Sequence, residues 1–261
     1  MLRAIWNYRF FVLSSIRNEL RLRFIRSKLG GLWMVIHPLA QVLIFALILS
    51  EILSAKLPGI ENKHAYALYL MAGTLAWTLF AETLAKCMNL FIDNGNLMKK
   101  MAFPRICLPL IASGTTLVNN LLLAAAIFGV FAVLGHIPGP QVFWLPLLII
   151  IILMLALGVG LILGVLNVFM RDIGQVVPVV LQALFWLTPI VYMLNILPER
   201  QQHWFRFNPL YPLVTSYQNI MVFNKPPLFW DLSWLSLGAT VLLLVGLLMF
   251  RRASPEMVDA L

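Results

Sequence analysis

The chain has 261 residues, of which 61% are hydrophobic and only 11% charged. A soluble domain carries about a quarter charged residues, so most of this surface faces something other than water. The formal charge of +9 gathers at the ends of apolar runs, which is the pattern of loops beside anionic lipid and not of a nucleic-acid partner.

The first element is an amphipathic helix within residues 1–30. Leu13, Ile16, Leu20 and Phe24 recur at spacings of three and four. Arg17, Arg21 and Lys28 lie off that stripe, and Glu19 is placed to pair with Arg23 one turn on. Such a helix lies in the inner interface with its arginines toward lipid phosphates. Whether it only anchors the chain or also shapes a functional surface, these residues leave open. The start is long and basic and lacks a small-residue cleavage site after a short apolar core, so no cleavable signal peptide is expected.

Six apolar runs follow, at about 32–54, 65–91, 107–134, 142–170, 173–194 and 229–250. A hydrocarbon core takes roughly 20 helical residues to cross, and an isolated strand cannot satisfy its backbone in lipid. The reading is an all-α integral membrane protein with six transmembrane helices. With the N-terminus inside, the inner segments hold thirteen Lys and Arg residues and the outer segments five. That bias places both termini in the cytoplasm. Cys87 and Cys107 then fall near the cytoplasmic ends of spans two and three, where free thiols are expected.

Between those spans, "IDNGNLMKKMAFPR" (92–105) has turn residues at Asn94-Gly95-Asn96 and a stop at Pro104. Leu97, Met98 and Met101 share one helical face, with Lys99 and Lys100 beside it. A helix of two turns does not fold for its own sake but suits a groove on another protein; a solvated basic loop is the alternative. Glu82 and Lys86, four apart near the inner end of span two, read as a helix pair or as snorkelling side chains. Thr115, Thr116, Asn119 and Asn120 lie within span three and read as interhelical hydrogen-bonding groups, with contact to a polar cargo as the alternative.

After the tight turn "HIPGP" (136–140), residues 142–194 are almost wholly apolar except for Arg171-Asp172. A charge held at mid-membrane costs about 2.5–3.5 kcal/mol even on the lenient insertion scale. The pair therefore marks an inner turn between spans four and five; contact with a cytoplasmic partner at that turn stays open. The outer segment 198–227 is broken by Pro198, Pro209, Pro212, Pro226 and Pro227. Its piece 210–223 is too short to span, which predicts short re-entrant or interfacial helices between spans five and six.

No G-x-x-x-x-G-K-[ST] phosphate loop, paired-aspartate motif or Ser/His/Asp grouping occurs, and His37, His64, His136 and His203 lack metal-ligand spacing. No catalytic residue, metal ligand or cofactor is predicted in this chain.

Five stretches in order carry a resemblance: "RFIRSKLGGLWMVIHPLAQVLIF" (23–45), "YLMAGTLAWTLF" (69–80), "MAFPRICLPL" (101–110), "MRDIGQVVPVVLQALFWLTPIVY" (170–192) and "NPLYPL" (208–213). Together they resemble the ABC-2-type permease family, and within it the branch that exports O-antigen and related polysaccharides, the Wzm type. The resemblance covers nearly all of 1–261 as one domain. Ala76 departs from it, since relatives often carry proline before the tryptophan.

The resemblance implies a homodimer of six-helix subunits in the bacterial inner membrane, surrounded by lipid and joined to two copies of a separate ATPase that binds ATP and Mg. It implies a channel for polysaccharide carried on undecaprenyl diphosphate. Segment 94–104 then looks like a coupling helix, so Leu97, Met98, Lys99, Lys100 and Met101, with Arg171 and Asp172 at the inner turn, are expected to meet the ATPase. Phe207, Tyr211 and Tyr217 fall in the outer gate segment, and Arg17, Arg21 and Arg23 in the interface helix. Trp77, Phe80, Phe185, Trp186 and Tyr192 are expected to line the channel, because sugar C–H faces stack on aromatic rings.

Two rivals stand beside this reading. An ABC-2 permease for a drug, heme or another small amphiphile is disfavoured by the long aromatic outer segment and "NPLYPL". A membrane enzyme acting on polyprenyl-linked sugars is disfavoured by the lack of an acidic or nucleophilic cluster. Neighbouring genes for an ATPase and glycosyltransferases discriminate among the three. The sugar repeat, the chain length and the choice of O-antigen or capsule are not written in this chain.

Overall fold

The computed structural model describes residues 8–24, 65–95, 105–194 and 207–260, with residues 6, 29–30, 32–33, 35–40, 43–44, 198, 202 and 205. Its helices are α1 (Arg9–Phe24), α2 (Ala65–Asp93), α3 (Cys107–Val133), α4 (Leu145–Phe169), α5 (Ile173–Trp186), α6 (Tyr211–Met221) and α7 (Phe229–Ala260), and a 3-10 turn (Pro140–Trp144) leads into α4. Among the described residues there is no strand. Four segments are long and apolar enough to cross a membrane: α2, α3, α4 with its 3-10 turn, and α7 as far as Ser254. Of the predicted first span, 35–40 are helical and 45–54 lie outside the described residues.

The most apolar helix, α4, lies at the centre with α2 and α7 packed along it. Lipid is as apolar as leucine, so close backbone approach rather than hydrophobic burial draws such helices together. The glycines of "LGVGLILGV" (157–165) permit it. A Cβ on Gly160 would lie 2.7 Å from Cys87 Cβ of α2, and one on Gly164 would lie 2.7 Å from the Cys87 carbonyl oxygen. On the other side a Cβ on Gly158 would lie 2.6 Å from the Leu243 nitrogen of α7. Gly246 of α7 reciprocates, facing the Gly158 carbonyl oxygen.

The chain turns between α4 and α5 at Arg171-Asp172, and both side chains are exposed. Buried Asn167 fixes this turn to α2. Its Oδ1 accepts from Gly174 N at 2.9 Å, and its Nδ2 donates to the Met88 carbonyl at 3.4 Å. At the same end of the bundle, Arg105 donates to the carbonyl and the hydroxyl of Ser254 near the end of α7, and Phe91 stacks on Phe250. The opposite end holds the 3-10 turn, His136, α6 and the start of α7, with His136 Nε2 bonded to the Met221 carbonyl at 2.8 Å.

The predicted fifth span, 173–194, is corrected in extent. Its helix stops at Trp186 after 14 residues, about 21 Å at 1.5 Å per residue and short of the roughly 30 Å hydrocarbon core. The cause is Pro189, which supplies no N–H and biases Thr188 away from helical geometry. Residues 187–194 continue as turns whose carbonyls are taken up by other elements. Tyr66 Oη donates to Val191 O at 2.7 Å, and Tyr69 Oη donates to Pro189 O at 3.0 Å and Tyr192 O at 3.2 Å. Gln218 Nε2 of α6 also donates to Pro189 O, at 3.0 Å. Asn208 closes the helix end through Leu187 O and Thr188 Oγ1. Leaving a buried acceptor without a donor costs about 1–3 kcal/mol. Tyr69→Phe is therefore expected to lower the thermal midpoint of the detergent-solubilised protein clearly, while Tyr8→Phe at the exposed residue before α1 leaves it unchanged.

The short outer helix predicted at 210–223 is present as α6, with 11 residues. Pro212 sits in its first turn, where a missing N–H is tolerated, and eight of its side chains are buried.

Candidate functional site: a polar cavity between α2, α3 and α5

Four polar residues on α3 have no water to turn to inside a membrane and must find partners on other helices. They do. Thr115 Oγ1 donates to Glu19 Oε2 at 3.0 Å, and Thr116 shares a 2.8 Å bond with Thr83. Asn119 Nδ2 donates to Glu82 Oε1 at 2.6 Å, and Asn120 Nδ2 donates to Leu75 O at 2.9 Å. The interhelical reading of these residues stands.

The local pairing of Glu82 with Lys86 does not. Lys86 Nζ lies 2.6 Å from Glu19 Oε1, so Glu19 pairs across the bundle; the side chain of Arg23, its expected partner one turn on, lies outside the described residues. Lys86 accordingly turns to α1, while Glu82 takes the Asn119 amide. Packing explains the change. Ile16 rests on Gly114, where a Cβ would lie only 2.4 Å from Ile16 Cδ1, and this seats Glu19 between Thr115 and Lys86. Lys86→Met is expected to loosen α1 from the bundle and speed proteolysis within residues 9–24, as seen by limited digestion of solubilised protein.

Next to this network lies a cavity of about 340 Å³. Trp77 and Phe185 form its aromatic wall, with centroids 5.4 Å apart and planes at 70°. Thr74, Thr78, Glu82 and Asn119 supply its polar groups, and Trp33 and His37 of the first apolar run close it. Phe80 is buried behind Trp77 and does not reach the cavity. Trp186 continues the ring series from Phe185 at 5.7 Å and is half exposed. Tyr192 stands apart in the turn after α5, its hydroxyl donating to Trp186 O at 2.7 Å and its ring 5.9 Å from Phe205.

Of the expected gate residues, Phe207 is exposed and Tyr211 half buried at the start of α6, but Tyr217 is wholly buried and belongs to the core. Arg17 and Arg21 are exposed on α1. The side chain of Arg23 lies outside the described residues, as do Leu97, Met98, Lys99, Lys100 and Met101.

The sequence reading missed Tyr66, Tyr69, Gln218 and Asn167. Their signal was present, since a polar side chain inside a long apolar run must be partnered, and Tyr66 and Tyr69 share a face at a spacing of three.

A helical bundle with several membrane-length segments and a cavity of hydroxyls, amides and rings between them defines a multi-pass membrane protein. The chain belongs to the ABC-2 type transporter family, whose model matches residues 12–222. It is 28% identical over 256 residues to an O-antigen export system permease protein, RfbA, of Klebsiella pneumoniae, covering 97% of this chain and 96% of that one. It is 26% identical over 263 residues to the RfbA protein of Myxococcus xanthus, covering 100% and 99%. With the polysialic acid transport protein KpsM of Escherichia coli it shares 22% identity over 248 residues, 93% of each chain.

Proposed function

We propose that this chain is the membrane permease subunit of an exporter that moves polysaccharide on undecaprenyl diphosphate across the bacterial inner membrane. It works as a homodimer with two copies of a separate ATPase, which binds the ATP and Mg. The observation that carries the reading is the Trp77–Phe185 wall set against Thr74, Thr78 and Asn119. Rings take the C–H face of a sugar through broad, shallow stacking, while hydroxyls and amides meet its polar edge. A sliding chain needs contacts of this kind, since one tight site would stall it. Relatives covering 97% and 93% of this chain are named for O-antigen export and for polysialic acid transport, which supports polysaccharide in general as the substrate class.

Orientation follows from the gathering of Arg105, Arg171, Arg251 and Arg252 at one end of the bundle, which faces the cytoplasm by the positive-inside rule. The short helix α6 and the turn 187–194 then form the outer mouth. The exposed Val176, Val179 and Val180 face of α5 supports a second copy seated against it. Reporter fusions are expected to score cytoplasmic at Ser254 and periplasmic at Gly139; a periplasmic score at Ser254 reverses the topology.

The decisive test measures cytoplasmic lipid-linked glycan and surface glycan in the same cells. Deleting the gene is expected to trap the first and abolish the second. Trp77→Ala is expected to slow export several-fold while still capturing the ATPase. A deletion strain with no trapped lipid-linked glycan rejects the polysaccharide reading.

A further inference from the structure

At the end of the bundle opposite the Arg171 turn, a cleft of about 500 Å³ lies between the start of α6 and the first turns of α7. Its walls include Asn208, Tyr211, Leu228, Asp231, Trp234 and Leu235. Among the described residues the lining has one carboxylate and no cationic side chain. Among the described residues Asp231 has no ion-pair partner, and the nearby loop cation Lys225 is placed over the Phe223 ring at 5.8 Å. A carboxylate beside a tyrosine and a tryptophan face is the chemistry that holds an ammonium group, through charge and through the ring quadrupoles.

The surroundings say which ammonium. α7 is the least enclosed of the membrane-length segments, with 17% of its most apolar window buried. From Trp234 the exposed side chains Leu237, Val241, Leu244 and Leu248 recur at spacings of three and four, which makes one continuous apolar stripe facing lipid. Leu244 lies ten residues below Trp234, about 15 Å at 1.5 Å per residue and close to the depth of one leaflet. A head group seated in the cleft therefore has its acyl chains already aligned with the stripe. Trp230 and Trp234, with rings 6.2 Å apart, sit where aromatic side chains anchor to the head-group layer.

We infer that this cleft is a binding site for the primary ammonium head group of a phospholipid, held by Asp231 between the rings of Tyr211 and Trp234. The site is separate from the aromatic cavity and does not depend on what that cavity carries. A lipid fixed there ties the start of α7 to the start of α6, and so steadies the outer mouth from the membrane side.

The test uses the full-length protein reconstituted in bilayers of equal parts phosphatidylethanolamine and phosphatidylglycerol, then re-extracted, with retained lipid read by native mass spectrometry. Phosphatidylethanolamine is expected to be retained over phosphatidylglycerol by about tenfold, equivalent to about 1.4 kcal/mol. Asp231→Asn removes that preference, Asp231→Glu keeps it, and Asp172→Asn at the other end leaves it untouched. Should Asp231→Asn fail to fold, Trp234→Leu keeps the apolar face of α7 and is expected to reduce the preference several-fold. Equal retention of the two lipids by the unmodified protein overturns the site, as does a preference that survives Asp231→Asn. Displacement of the lipid by a soluble oligosaccharide bearing an amino sugar reassigns the cleft to cargo and also overturns the proposal.

Discussion

Gly158→Leu is expected to remove nearly all folded protein from the membrane fraction. Any Cβ at this position lies 2.6 Å from the Leu243 nitrogen and 2.7 Å from the Leu242 carbonyl carbon, and both are helix backbone that cannot rotate aside. Relief requires α7 to move away from α4, which also separates Gly246 from the Gly158 carbonyl and opens the seam along which the two helices pack. Overpacking by a few methylenes costs about 1–3 kcal/mol where side chains can yield. Here a whole helix must yield, against a total stability of about 5–15 kcal/mol for a typical domain. Gly129→Leu is the matched control, because nothing lies within 4 Å of a Cβ there. The readout is monodisperse protein after detergent extraction: Gly129→Leu should match the parent, and a Gly158→Leu protein that also matched it would refute the α4–α7 packing.

The second large effect concerns the partner. Replacing Leu97, Met98 and Met101 together with serine is expected to abolish co-purification of the ATPase while the permease stays in the membrane. Each apolar side chain, if fully covered by the partner, contributes about 1.5–3 kcal/mol, and 1.4 kcal/mol is a tenfold change in affinity. Loss of two such anchors already weakens capture by more than about a hundredfold. Changing Lys99 and Lys100 to glutamine should cost far less, because rim charges act mainly on the rate of encounter. An undiminished ATPase band with the triple variant, together with normal export, makes 94–104 a plain loop.

The main helices were legible wherever one physical rule decided them. Arg171-Asp172 had to be a turn because two charges at mid-membrane are expensive, and the structure exposes both. The piece around 210–223 had to be a short helix because prolines bracket it and its length is insufficient, and α6 fills it. The end of α5 was not legible. Pro178 and Pro189 lie in the same apolar run, yet α5 passes through Pro178 and ends before Pro189. What separates them is the set of donors waiting for the freed carbonyls. Tyr66 and Tyr69 stand more than a hundred residues earlier in the chain, and no local pattern reveals that they reach residues 189–192. The same holds for Lys86, whose nearest acidic residue by helix spacing was Glu82 but whose ion-pair partner is Glu19, 67 residues earlier. At the cavity, aromatic residue type pointed to Trp77 and Phe185, while the core position of Phe80 and Tyr217 depended on tertiary packing alone.

The unequal lengths of α5 and α7 make residues 187–194 the part of the subunit most sensitive to bilayer thickness. Between Asp231 and Arg251 the 19 uncharged residues 232–250 of α7 measure about 29 Å along the axis and match a roughly 30 Å core, whereas α5 falls short of it by about 9 Å. A bilayer with longer acyl chains is therefore expected to submerge more of the non-helical stretch after Trp186, and a thinner one less.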